Sequence, residues 1–228
     1  IDVTELAAYL ADGALVDLQF YFDADADWRA GEWFTGPLDA CRDRAERLVG
    51  LPSTFTPYVM YVNRSLLARD GIELPQPGWT WADMERIARA ATRDLDGDGR
   101  IDARDQWGIS ITQWLQALAP WVWQAGADFL DDNGEHATLD SPQFVEVLTF
   151  LHRLLHVDRV ASNDATFASQ MEQGLFQAGR CALYGPVGYW ETYRFASLPF
   201  DWDVVPLPRH RHEATAVAMS VYVVPRTA

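Results

Sequence analysis

The chain has 228 residues, of which 49% are hydrophobic, and a formal net charge of −15 at pH 7. This length and composition suffice for a sizeable buried core, in one large domain or in two lobes. The negative charge argues against nucleic acids and anionic membrane surfaces as partners, because both favour positively charged patches. The two cysteines are too few for a disulfide framework.

The first well-marked helix begins after Thr80. Thr80 is a residue type that caps helices, and Asp83 three positions later completes a capping-box pattern. Apolar residues then recur at helical spacing and predict one buried face: Trp81, Met84, Ile87, Ala88 and Ala91.

An acidic segment follows this helix. Its residues match positions 1, 3, 5, 6, 9 and 12 of a calcium-binding loop, in the order Asp94, Asp96, Asp98, Gly99, Asp102 and Asp105. Calcium takes about six to eight oxygen ligands, and the carbonyl of Arg100 is a further candidate. Asp105 departs from the pattern, because the usual Glu at the last position reaches further and binds with both oxygens. The sequence therefore predicts a structural calcium site, with a solvated acidic turn as the alternative.

Two further helices are predicted towards the end of the chain. Ser141 and Pro142 are a cap and a first-turn proline. A third helix is expected from about Asp164 to Gly179, where glycine can adopt the left-handed cap conformation. Short apolar runs after the helices predict strands at 107–109, 181–184 and 204–205. The alternation of helices with short strands predicts an α/β fold with βα units around a sheet.

Several motifs occur in an order and spacing that resemble one known family. They are Gly50-Leu51-Pro52-Ser53, the run from Tyr58 to Arg64, the turn from Pro75 to Trp81, the run from Phe176 to Leu183, and Val204 to Pro208. Together they resemble the extracellular solute-binding proteins of family 1, the maltose-binding-protein-like receptors that feed ABC importers. The resemblance covers nearly the whole chain, but only the middle of such a protein.

The resemblance implies an α/β fold of the periplasmic-binding-protein type II class, with two lobes and a hinged cleft and with N- and C-terminal parts missing from this chain. The expected partial first lobe is 1–62 with 207–228, and the nearly complete second lobe is 63–206. A monomeric, non-enzymatic protein outside the cytoplasm is implied, in the periplasm or lipid-anchored at the cell surface. It would deliver its ligand to the membrane subunits of an ABC importer.

The resemblance also places ligand contacts on segments that reach the cleft. Aromatic rings stack on the apolar C–H faces of sugars, and nearby polar groups bind the hydroxyls. The expected ligand is therefore a carbohydrate, specifically an oligosaccharide. The candidate ligand-binding residues are Thr54, Thr56, Tyr58, Gln113, Trp114, Gly185, Tyr189 and Trp190. Packing is an equally open role for Trp114, Tyr189 and Trp190, since binding residues in the family vary with the sugar.

Two other function classes stay open on the sequence. A calcium-dependent secreted enzyme that acts on glycans would also account for the acidic and aromatic content. A calcium-stabilised interaction module would need no small-molecule site. The sequence contains no nucleophile elbow, phosphate-cradling glycine loop or zinc-ligand spacing.

Overall fold

The computed structural model describes residues 1–102, 104–162 and 174–226. The chain divides into two compact units, of which the first is Ile1–Pro57 with Val217–Ala228 and the second is Tyr58–Ala216. Both contain helices and strands, so the predicted α/β class is confirmed.

In chain order, the helices and strands are α1 (Val3–Ala11), α2 (Gln19–Ala24), α3 (Thr35–Asp39), β1 (Gly50–Pro57), β2 (Val59–Asn63), α4 (Arg64–Arg69), α5 (Trp81–Ala91), β3 (Trp107–Ile111), α6 (Leu115–Gln124), α7 (Pro142–His152), β4 (Ala161–Ser162), α8 (Gly174–Gln177), β5 (Cys181–Val187), α9 (Glu191–Phe195), β6 (Trp202–Val205) and β7 (Val217–Val223). A short 3₁₀ turn at Ala30–Glu32 precedes α3, and a π-helical turn at Arg153–Val157 follows α7.

The first unit contains an antiparallel pair of strands, β1 and β7. Their register runs from Gly50 opposite Val223 to Pro57 opposite Val217. Glycine is required at position 50, because a Cβ there would lie 2.6 Å from Cγ1 of Val221. The buried residues that form the main core of this unit are Leu38, Cys41, Leu48, Met219 and Val221.

The second unit contains a five-stranded sheet in the order β4-β3-β5-β2-β6. Strand β3 is parallel to both of its neighbours, β4 and β5, whereas β2 is antiparallel to β5 and β6. Helices α5, α6 and α7 contribute Met84, Trp121 and Val147 to the largest core cluster, which also includes Ile109 and Leu183 of the sheet. The order and direction of the strands therefore determine at which edge of the sheet each connecting loop lies.

The helix predictions agree with the structure where it describes them. The Thr80 side chain caps α5 in a complete capping box with Asp83, and the five predicted apolar residues of this helix are buried. Ser141 caps α7, with Pro142 in the first turn. Residues 163–173 of the predicted third helix lie outside the described residues, but Gly179 beyond α8 has the predicted positive φ, 69°. No helix in the described ranges is long and apolar enough to cross a lipid bilayer.

The compact units begin and end at different residues from the lobes expected from the sequence. Strand β2 is hydrogen-bonded to both β5 and β6, so 59–62 lies within the sheet of the second unit, and Tyr58 directly before it belongs to the same unit. The segment 207–216 packs there as well. The Arg209 amide donates to the carbonyl of Trp79 at 2.9 Å, and the Trp81 amide donates to the carbonyl of Arg209 at 3.1 Å. Tertiary hydrogen bonds thus extend the second unit at both ends.

Both cysteines are free and buried. Burial raises the pKa of the Cys41 thiol to about 11 and that of the Cys181 thiol to about 12. Neither is a thiolate near neutral pH, so both act as small apolar core residues.

Candidate functional site

Three chain segments that are far apart in sequence meet at one edge of the five-stranded sheet. Strands β3 and β5 are parallel, so their carboxyl ends lie at the same edge, and β2, which is antiparallel to β5, begins there. Residues 112–114 follow β3, residues 188–190 follow β5, and Tyr58 precedes β2. In α/β sheets this is the edge where ligands are usually bound.

An aromatic cluster occupies this edge. The Trp114 indole N–H donates to the Tyr58 hydroxyl at 3.3 Å. The Trp190 ring meets the Tyr58 ring edge to face, with centroids 5.7 Å apart and an interplanar angle of 81°. Tyr58 is only 4% exposed, whereas Trp114 is 39% exposed. The cluster therefore consists of a solvent-exposed indole, that of Trp114, hydrogen-bonded to a buried tyrosine, Tyr58.

Two tyrosines extend the exposed aromatic surface. Tyr189 is 48% exposed, and its ring centroid lies 6.2 Å from that of Tyr193, which is 78% exposed. Sequence reasoning missed Tyr193. Its position was the available signal, because Tyr193 lies in the short helix α9 that directly follows the candidate residues Tyr189 and Trp190.

The turn after β5 depends on a close approach at Gly188. The Tyr61 hydroxyl donates to the Gly188 carbonyl at 3.1 Å and holds the turn from inside the sheet. A Cβ at position 188 would lie 2.1 Å from the Trp190 ring. The ring can therefore lie against the backbone only where the residue is glycine.

The remaining predicted ligand residues are placed differently. Gln113 is exposed beside Trp114. Gly185 lies within β5 and accepts a hydrogen bond from the Thr112 amide at 3.3 Å. Thr54 and Thr56 belong to β1 of the first unit, where Thr54 is exposed and Thr56 is buried. The structure thus brings together five of the eight predicted residues at the aromatic edge and places Gly185 in the adjoining strand.

Within the first unit, Thr54 lines a small cavity of about 180 Å³. Its walls include Trp33, Phe34 and Phe55. Phe34 and Phe55 contact each other edge to face at 5.0 Å between centroids. This cavity combines a hydroxyl group with aromatic walls.

A buried carboxylate lies next to the aromatic edge. Glu191 is 1% exposed and accepts hydrogen bonds from the Arg194 guanidinium at 3.1 and 3.4 Å. Burial raises the pKa of Glu191, although the Arg194 guanidinium acts in the opposite direction. No sequence motif indicated this residue.

The acidic loop, residues 94–105, precedes β3. Carboxylate oxygens of Asp94, Asp96 and Asp98 all lie within 4.8 Å of one another. The Asp94 carboxylate also accepts hydrogen bonds from the amides of Gly97 at 2.6 Å and Gly99 at 2.8 Å, and these bonds hold its pKa below the usual value. Both glycines have a positive φ, near 80°. The first three carboxylates of the predicted loop therefore fit a hard cation such as Ca²⁺.

The last two acidic residues of the loop have other partners. Asp105 is 1% exposed, and its two oxygens accept the amide N–H groups of Leu95 and Asp102, each at 2.8 Å. The Arg104 guanidinium lies 3.0 to 3.1 Å from carboxylate oxygens of Asp96, Asp98 and Asp102. Asp105 thus closes the loop through hydrogen bonds, and Arg104 supplies an internal counter-charge.

Comparison with known proteins identifies relatives along the chain. The model of the family described as bacterial extracellular solute-binding protein matches residues 1–223. An arabinooligosaccharide-binding protein from Halalkalibacterium halodurans is 29% identical over 112 residues, which are 49% of this chain and 23% of that protein.

Solved structures show the same fold. The ABC substrate-binding protein Lmo0181 from Listeria monocytogenes, in complex with cycloalternan, matches with a TM-score of 0.87 and 24% identity over 100% of this chain and 56% of its own. Maltose-bound MalE3 from T. maritima matches with a TM-score of 0.71 and 21% identity over 99% of this chain and 56% of its own. This chain spans little more than half the length of either structure. The predicted type II periplasmic-binding-protein fold is confirmed by these matches.

Proposed function

Because this chain belongs to the family of bacterial extracellular solute-binding proteins, we propose that it captures a carbohydrate, specifically an oligosaccharide, for an ABC importer. The similar protein from H. halodurans is named for binding arabinooligosaccharides, and the two similar structures hold cycloalternan and maltose. All three ligands are sugars of more than one ring, and this supports an oligosaccharide as the cargo.

The observation that carries the proposal is the aromatic edge of the sheet. Trp114 and Tyr189 present exposed rings, and Gln113 adds an amide beside them. A sugar offers an apolar C–H face and a rim of hydroxyls, so a ring with neighbouring amide groups matches it. The Thr54 cavity of the first unit combines aromatic walls with a hydroxyl group and is the second proposed contact.

In this proposal the protein works outside the cytoplasm as a monomer and performs no chemistry on its ligand. The membrane subunits of the importer are its partner. The ligand can change the conformation that the importer recognises only if it binds two conformations of the protein with different affinities. Release to the importer therefore requires a state with lower sugar affinity.

Thermal unfolding of the intact protein with a panel of mono- and oligosaccharides tests the proposal. A ligand at 100 times its dissociation constant adds about 2.7 kcal/mol to the free energy of unfolding. Tyr189→Ala is expected to reduce the shift, whereas Tyr222→Ala, an exposed tyrosine of β7, leaves it unchanged. A sugar that is hydrolysed during incubation, or a panel without any shift, would overturn the proposal.

A structural calcium ion in the acidic loop is the second part of the proposal. The ligands would be the carboxylates of Asp94, Asp96 and Asp98 and the carbonyl of Arg100, with Asp102 and Asp105 completing the predicted set. When bound, the ion would neutralise adjacent carboxylates. Calcium should raise the melting temperature of the intact protein, and Asp96→Asn should abolish that rise. An equal rise in the Asp96→Asn variant would refute this site.

A further inference from the structure

Tyr58 lies between two strand ladders and belongs to neither. Strand β1 pairs with β7 as far as Pro57 opposite Val217, and the pairing of β2 begins at Val59. Strand register therefore does not fix the backbone of Tyr58, although this residue is the buried tyrosine of the aromatic cluster. Other hydrogen bonds have to hold it, because the backbone N–H and C=O groups of a buried residue need partners.

The two residues directly before β7 supply these hydrogen bonds. The Tyr58 amide donates to the Ala216 carbonyl at 2.9 Å. The Tyr58 carbonyl accepts a hydrogen bond from the Thr215 hydroxyl at 2.8 Å. The same hydroxyl lies 3.3 Å from the Ala216 carbonyl, but it has only one proton to donate, so the shorter bond to Tyr58 is the stronger one. Both polar groups of the Tyr58 backbone are thus held by one short segment.

The segment that carries Thr215 is itself anchored to helix α6. The Gln124 side-chain N–H donates to the Ala214 carbonyl at 2.9 Å, and the Gln124 side-chain oxygen accepts the indole N–H of Trp81 at 2.6 Å. Gln124 is 1% exposed, so both ends of its amide are bonded inside the second unit. A hydroxyl held in this way can determine where Tyr58 lies, whereas a mobile hydroxyl could not.

The position of Tyr58 affects the exposed indole of the cluster. The Tyr58 hydroxyl accepts the Trp114 N–H at 3.3 Å, and the Tyr58 ring meets the Trp190 ring edge to face. Trp114 is 39% exposed and is one of the proposed ligand contacts. Stacking on a sugar needs a ring at a defined place and angle, so a shift of Tyr58 that moves the Trp114 indole lowers affinity.

We propose that Thr215 is a positioning residue of the ligand site. Its hydroxyl fixes the Tyr58 carbonyl, and Tyr58 in turn orients the Trp114 indole through the hydrogen bond between them. Thr215 needs no contact with the ligand for this role. The proposal deepens the proposed function and rests on it for the ligand readout.

The test compares Thr215→Val with Thr149→Val, a matched control on α7. Both are exposed residues of the second unit, and both hydroxyls donate to a backbone carbonyl, at 2.8 Å for Thr215 and 2.7 Å for Thr149. The affinity of the intact protein is measured for the sugar that stabilises the wild type. Thr215→Val should bind it about two- to tenfold more weakly, the range set by one hydrogen bond. Thr149→Val should bind like the wild type, and Thr215→Ser, which keeps the hydroxyl, should restore most of the affinity.

Two further measurements separate positioning from a general loss of structure. The NMR resonance of the Trp114 indole N–H, identified by its absence in Trp114→Phe, should shift in ligand-free Thr215→Val and stay in place in Thr149→Val. In the Trp114→Phe background, Thr215→Val should cause no further loss of affinity, because substitutions that act through one interaction are not additive. An unmoved Trp114 resonance, or an equal loss of affinity in the Trp114→Phe background, overturns the proposal.

A failure of the proposed function gives a different result. If the wild type binds no sugar, the proposed function fails, and the Trp114 resonance alone decides whether Thr215 positions the indole. If the wild type binds a sugar and Thr215→Val binds it equally tightly, the proposed function stands and the role of Thr215 is refuted.

Discussion

Strand β3 has two contrasting ends. The acidic loop before its first residue is organised by hydrogen bonds between residues no more than ten positions apart. The aromatic cluster beyond its last residue joins Trp114 to Tyr58, 56 positions earlier in the chain. The loop is thus a local structure that a motif can specify, whereas the cluster exists only through the pairing of the strands.

The two ends also use charge differently. At the loop, exposed carboxylates accept hydrogen bonds from backbone amides and from Arg104, and these bonds lower the pKa values of Asp94 and Asp102. At the aromatic edge, burial dominates and raises the pKa of Glu191. Local hydrogen bonding favours ionised groups, while tertiary packing disfavours them.

The largest expected effect comes from opening the loop. Asp105→Ala removes the carboxylate that accepts two amide hydrogen bonds, and we expect a loss of about 2 to 4 kcal/mol in the free energy of unfolding. Urea unfolding with and without calcium measures it. Since the loop and the aromatic edge are separate structures, sugar affinity at low temperature should stay within about twofold.

Asp132→Ala, at an exposed position of the second unit, is the matched control and should cost little. A sugar affinity that collapses in Asp105→Ala while the protein remains folded would show that the two ends of β3 are coupled. The acidic loop and the aromatic cluster would then not be independent structures.

The next effect comes from the other end of the strand. Gly188→Ala places a Cβ against the Trp190 ring, and overpacking of this kind costs about 1 to 3 kcal/mol. The displaced ring should also weaken sugar binding. Calorimetry and ligand titration measure the two effects. Gly31→Ala, where a Cβ meets nothing within 4 Å, is the control, and equal behaviour of the two variants would contradict the close approach at Gly188.

The same contrast explains how much could be predicted from the sequence. The capping box of Thr80 and Asp83 was predicted correctly because its geometry is set within one helical turn. The grouping of Asp94, Asp96 and Asp98 was predicted for the same reason. Such features need no knowledge of the fold.

Features that depend on sheet topology could not be predicted from local sequence patterns. Candidates at the aromatic edge came from a resemblance to a family, and nothing in the local sequence pairs Tyr58 with Trp114. The buried Glu191 looks like any first-turn acid of a helix. The ends of the second unit also depend on the pairing of β2 with β5 and β6.

A smaller effect tests the internal counter-charge of the loop. Arg104 pairs with three carboxylates, so it competes with any cation at the same place. Arg104→Met should tighten calcium binding by roughly three- to tenfold, a size set by solvent screening of these exposed groups. Isothermal titration with calcium measures it, and Arg86→Met on α5 is the control. Weaker calcium binding in Arg104→Met would show that the guanidinium organises the site.

The smallest effect is the pH dependence of the free energy of unfolding. It has opposite signs for Asp70, beside the acidic loop, and for Glu191, at the aromatic edge. At the base of the loop, Asp70 has a lowered pKa, chiefly because of its hydrogen bond from Arg69, with a further bond from Gln106. Its stabilising contribution is present above its unfolded-state pKa, 3.8, and is lost as the pH falls through the lower folded-state value. Glu191 behaves in the reverse way because its folded-state pKa is raised. The stabilising contribution of Glu191 is present below its unfolded-state pKa, 4.5, and is lost as the pH rises through its higher folded-state pKa.

Urea unfolding of the wild type, Asp70→Asn and Glu191→Gln between pH 3 and pH 7 measures both contributions. Asp70→Asn should be less stable than the wild type at pH 7, and the difference should shrink in acid because the wild-type carboxylate becomes protonated. Glu191→Gln should be the more stable protein at pH 7, and its advantage should disappear below about pH 4.5, where Glu191 is neutral in both states. Differences of the same sign in the two variants at pH 7 would mean that Glu191 is held by its ion pair more strongly than burial opposes it. The aromatic edge would then be stabilised by local charge pairing, as the loop is.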